Sequence, residues 1–159
     1  MKTLRLKTII QRYRDVIKNS AAIEAWCLET YGKLPTIYVG FDKRTPPPQS
    51  ECPSIVIFPG EKMEGDGAES FAYHPSVAWS VVNEAVTQID NVKEYPGLYE
   101  SDDFGHLILS ELAGASEIAF ITEVGYSIDE CNHIPQFPGR ADITIEIVQT
   151  LGGSDEINF

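Results

Sequence analysis

The sequence predicts an α+β domain, a mainly antiparallel sheet with helices packed on it, and three observations carry that expectation. Residues 4–18 place Leu6, Ile9, Ile10, Tyr13, Val16 and Ile17 at the spacing that lays one apolar stripe along a helix. Residues 140–150 instead alternate strictly, Ile143, Ile145 and Ile147 against Asp142, Thr144 and Glu146, which buries one face of a strand and wets the other. The elements run as two helices, two strands, a long strand, a helix and two strands, without the βαβα alternation of a parallel sheet.

Each element follows from local chemistry. After the first helix, Asn19-Ser20 supplies a break and an N-cap, and Ala22, Ile23, Trp26 and Cys27 support a second short helix that ends before Gly32. Thr36 to Phe41 is a β-rich run. Thr45-Pro46-Pro47-Pro48 opens a polar loop to Pro53, where three consecutive prolines exclude helix and central strand. Ser54 to Phe58 reads as a short strand buried on both faces and closed by the Pro59-Gly60 turn signal. Residues 60–70 are rich in Gly and acid and read as a mobile excursion between strands. From His74 the alternation predicts a strand that runs on toward Val86 or Ile89, with helix as the competing reading for residues 80–89. Tyr95-Pro96-Gly97 reads as a turn. Ser101, Asp102 and Asp103 then cap a helix carrying Leu107, Ile108, Leu109 and Leu112 and ending at Gly114. Strands over residues 117–128 and 140–150, joined by the proline-containing connection CNHIPQFPG, complete the domain.

Composition narrows the function classes. A chain of 159 residues, 43% hydrophobic and 10% aromatic, holds enough apolar surface for one core, so residues 1–150 are expected to form a single domain and 151–159 a loose tail. No window approaches the roughly 18 continuous apolar residues of a membrane span, and Lys2, Arg5 and Lys7 interrupt the N-terminus, so neither a span nor a signal peptide is expected. Cys27, Cys52 and Cys131 are too few and too far apart for a disulfide framework, which points to synthesis in a reducing cytoplasm. The net charge of −12 argues against nucleic acid or an anionic membrane as the main partner. That charge is segregated: residues 1–44 carry nine Lys or Arg against four Asp or Glu, whereas residues 45–159 carry three against twenty. Such polarity suits head-to-tail contact between copies.

Chemical motifs are weak. Asp103-Phe104-Gly105 spells the kinase magnesium motif without the glycine-rich loop or His-Arg-Asp segment that gives it meaning. Gly65-x-Gly67-x-x-Ser70 lacks the third glycine of a dinucleotide fingerprint and is flanked by Glu64, Asp66 and Glu69, which repel pyrophosphate. Cys131 and His133, with Asp129 and Glu130, could offer two or three zinc ligands from one loop, but no second cluster completes a site. Asp102, Asp103 and His106 could do acid–base work, yet capping accounts for both carboxylates. No nucleophile elbow surrounds a serine or cysteine. Tyr13, Trp26, Tyr31, Phe71 and Trp79 read as aromatic core rather than stacking platforms, because the strands are acidic. No catalytic residue, metal or cofactor is expected.

In its order of features the chain resembles small phage tail proteins of the tail-terminator or minor-tail type, the lambda tail-terminator-like family. The features are an amphipathic helix, a short helix with Ala25-Trp26-Cys27, an exposed Ile37-Tyr38-Val39-Gly40 strand and a proline-rich stretch. Then come Pro53-Ser54-Ile55-Val56-Ile57, a variable loop, a long strand, Pro96-Gly97 leading into a helix, and a last strand introduced by Phe137-Pro138-Gly139-Arg140. The resemblance implies a structural protein of the virion tail, made in the host cytoplasm, that forms a ring, usually hexameric. The ring caps the tail tube and meets the tube protein and head–tail joining proteins. It implies no catalysis and no sequence-specific nucleic-acid or membrane partner. Neck and head-completion proteins share this size and pattern, and a small metal-dependent enzyme using the Cys131/His133 loop is the competing chemistry. Arg5, Arg12, Arg14, Glu64, Asp66 and Glu69 are the candidate subunit or tail interface.

Overall fold

The structure, a computed structural model, describes residues 5–64, 70–115, 120–129 and 134–148. Along the chain come α1 (Leu6–Asn19), α2 (Ala21–Tyr31), β1 (Thr36–Val39), β2 (Ser54–Glu64), β3 (Ser70–Val82), β4 (Thr87–Ile89), β5 (Val92–Glu94), α3 (Gly97–Gly114), β6 (Phe120–Ile128) and β7 (Gln136–Val148). The main sheet has five strands in the order β1-β2-β3-β7-β6, while β4 and β5 form a separate ribbon. β1 pairs parallel to β2, and the other neighbours pair antiparallel. This is the expected α+β class.

The first two helices form where their sequence places them. α1 buries Ile9, Ile10, Tyr13 and Ile17. The Ser20 hydroxyl accepts from the Ile23 amide at 3.1 Å and donates to Glu111 Oε2 at 2.7 Å, so the cap of α2 is also a tie to α3. Gly32 ends α2 at φ 69°, a left-handed conformation that only glycine adopts without cost.

One face of the sheet carries the helices. Ile55 and Ile57 of β2, Val77, Trp79 and Val81 of β3, and Phe137, Ala141, Ile143 and Ile145 of β7 share a core with α1, α2 and α3. Trp79 is its centre: the indole N–H donates to the Ser101 carbonyl at 2.8 Å, and a Cβ at Gly105 or Gly139 would lie 2.2 or 2.5 Å from the ring. Phe104 stacks on Trp26 with centroids 4.8 Å apart, joining α3 to α2.

Several boundaries differ from the sequence expectation. Pro59-Gly60 does not close β2. Gly60, at φ 63°, sits in a bulge between Phe58 and Glu61, and the strand continues to Glu64, so residues 60–64 belong to a long hairpin rather than an excursion. A Cβ at Gly60 would strike the His74 carbonyl, which is why a glycine stands there. β3 begins at Ser70, before His74, and ends at Val82; residues 80–89 are not helical, and Thr87–Ile89 pairs with Val92–Glu94 instead. α3 starts at Gly97, not at Ser101, because Gly97 fits against the Phe137 ring and Ser101 is wanted inside the helix by Trp79. Phe137, Pro138 and Gly139 lie within β7 rather than in the connection before it.

Candidate assembly surfaces

The residues flagged by chemistry turn out to be largely structural. Asp103-Phe104-Gly105 lies inside α3, with Phe104 and Gly105 buried against Trp26 and Trp79. Asp102 is the acceptor of a small surface cluster: its Oδ1 receives the Tyr126 hydroxyl at 2.8 Å and faces His106 Nδ1 at 3.4 Å. Burial, and then the Asp102 carboxylate, push the Tyr126 hydroxyl well above its ordinary range, so it stays a donor. This cluster pins β6 to α3. Among the described residues no group of three or more His, Cys, Asp or Glu is placed to hold a metal ion. Cys131 and His133 lie outside the described residues. Cys27 is buried and its thiol is pushed up to about 12 by that burial, and burial also raises Cys52, which makes both poor nucleophiles at neutral pH.

The candidate interface residues divide. Arg5 is exposed. Arg12 is half-buried and its guanidinium reaches the Ala115 carbonyl at 3.4 Å, so it fastens α1 to the end of α3. Arg14 pairs with its neighbour Asp15 at 2.8 Å. Glu64 is the last residue of β2, and Asp66 and Glu69 lie outside the described residues. Lys7 and Lys18, unlike Arg12, are exposed on α1.

Two surfaces were not legible as sites in the sequence. The first is the sheet face opposite the helices. The segment between β1 and β2 covers one end of it, with Phe41 edge-on to Phe58 at 5.6 Å and Cys52 buried beside Ser54, which explains why Ser54 to Ile57 is buried on both faces. Farther along, Glu61, Glu123, Asp142 and Glu146 are exposed on the uncovered part. There the Ser76 hydroxyl and then Arg140 hold the Asp142 carboxyl below its ordinary range. The second is a groove of about 320 Å³ between the end of α1, the start of α2 and β1, lined by Ile17, Ile23, Leu34, Pro35 and Ile37 with Lys18 at its wall. It runs beside the β1 edge, with which no further strand pairs among the described residues. The Thr36 amide donates to Pro53 and the Gly40 amide to Ile57, both at 2.9 Å, so in a parallel ladder the Ile37 and Val39 peptide groups face away from β2.

No protein-family model matches the sequence, and no curated protein sequence matches it.

Proposed function

We propose that the chain is a structural assembly protein of a phage tail, a tail terminator that forms a ring at the end of the tail tube and contributes to joining it to the head. The supporting observation is how the charge lies on the fold. Strand order puts β1, flanked by Lys33 and Lys43, at one edge of the sheet, with the basic α1 packed over β2 and β1 beside it, and β6, with Glu123 and the following Asp129, at the other edge. A chain with unlike flanks is suited to head-to-tail contact, the arrangement that closes into rings. The uncovered acidic sheet face suits a lumen, since DNA passing it would be repelled rather than bound. The order of sequence features described above points the same way.

The test is molar mass in solution by light scattering over concentration and salt, with negative-stain images of the large species. Closed rings are expected, and reversing the charge at Arg5, Lys7 and Lys18 together should shift them toward monomer. A chain that stays monomeric throughout overturns the self-assembling ring.

A further inference from the structure

Both edges of the five-stranded sheet are open among the described residues, because no strand pairs with the outer side of β1 or of β6. Natural sheets usually blunt such edges. Here each edge instead carries exposed apolar side chains on the helix-bearing side: Leu34 and Val39, 55% and 53% exposed, at β1, and Val124, 38% exposed, at β6. Val39 lies opposite Ile57 and Val124 opposite Ile143, both core residues, and Leu34 lines the groove with Ile17 and Ile23, so the three side chains share the helix-bearing face. A register break between Ile121 and Glu123 precedes β6's regular run from Glu123 to Ile128. The flanking charges are of opposite sign. Around the β1 edge Lys18, Lys33 and Lys43 are exposed against one acid of the groove wall, Glu24, with Asp42 paired to Arg44, so that edge is net basic, whereas Glu123 and Asp129 are exposed on β6 and just after it.

Direction matches as well. Parallel pairing of β1 with β2 followed by three antiparallel steps makes β6 run opposite to β1 within one sheet. A second copy related by rotation about an axis along the strands therefore brings its β6 antiparallel to the first copy's β1.

We infer that the β1 edge and the adjoining groove receive the β6 edge of a second copy of this chain, so that the sheet continues from subunit to subunit. Backbone groups of Ile37 and Val39 take the partner strand, and Val124 of that strand enters the groove beside Leu34 and Ile37. The contact is heterologous: each subunit gives one edge and accepts the other, and the pattern closes into a ring. This rests on the assembly reading above and assigns its interface.

The experiment uses two full-length variants, Val39→Asp and Val124→Asp, each at an exposed position, with circular dichroism to verify that the fold is kept. Each variant alone is expected to lose rings and sediment as a monomer. Mixed, they are expected to form a one-to-one dimer and nothing larger, because the intact β6 edge of the first fits the intact β1 edge of the second while the other two edges are blocked. Rings that persist in either variant overturn the edge pairing but leave the assembly reading standing. A mixture that stays monomeric, or a variant that dimerises alone, overturns the head-to-tail arrangement. A wild-type chain that forms no oligomer overturns both.

Discussion

The two sides of the helical layer are built differently. Where α3 meets β3 and β7, packing is closed: Trp79 is buried, Gly105 and Gly139 leave just enough room for its ring, and its one polar atom is satisfied by Ser101. Where α1 and α2 meet β1, a groove stays open with Leu34 and Val39 exposed, and in the middle of α1 the buried Tyr13 hydroxyl has no hydrogen-bond partner among the described residues. The α3 side is closed around one fitted indole, whereas the α1–β1 side keeps an open apolar groove above its own buried Ile17 and Ile23. Open surface and tight core are kept apart on one sheet.

Substitutions on the two sides of the layer are expected to differ in the size of their effects. Trp79→Ala should cost about 3–5 kcal/mol in denaturant unfolding, as for other large aromatic truncations in closed cores. Gly105→Ala should be destabilising by roughly 1–3 kcal/mol despite a gain of about 1 kcal/mol in helix propensity, because the new methyl meets Trp79. Gly114→Ala in the same helix, with nothing within 4 Å of the added Cβ, should not destabilise. If Gly105→Ala were the more stable of the two, the closed packing around Trp79 would be wrong. In α1, Tyr13→Phe should leave stability unchanged or raise it by up to about 1 kcal/mol, since it removes a buried hydroxyl that has no partner among the described residues. Val39→Ser should change stability by less than about 0.5 kcal/mol.

Alkaline pH tests the packing of α2 on the core. Cys27, buried between α2 and the core, titrates near 9.0 when unfolded and is pushed up to about 12 when folded. Its raised folded value means that the unfolded chain loses the proton first. The associated stability is full below pH 9.0 and falls as pH rises from there toward 12. Cys27→Ala should flatten that alkaline decline, measured as the denaturant midpoint at a series of pH values.

Much of the fold was legible because local signals agreed with tertiary packing: the α1 stripe, the Ser20 cap, the Gly32 stop and the alternation of Ile143 and Ile145 all hold. Three of the misplaced boundaries share one physical origin. Pro59-Gly60, Pro96-Gly97 and Phe137-Pro138-Gly139 carry breaker residues, yet Gly60 and Gly139 inside their strands and Gly97 at the first position of α3 are needed where His74, Trp79 and Phe137 approach closely. A glycine chosen for a neighbour distant in sequence looks the same as one chosen for a turn. Of the candidate surfaces, the charge polarity and Arg5 were visible beforehand. The free edges were not, because strand order is fixed by long-range pairing that no local pattern encodes.

The stack of Trp26 on Phe104 gives the molecule a built-in optical reporter. Trp79 is enclosed on the closed side, whereas Trp26 is half-buried at the seam between α2 and α3. Loosening of the α1–α2 layer alone should therefore red-shift the emission of one indole and leave the other in its apolar surroundings, so the fluorescence spectrum can distinguish partial opening from global unfolding.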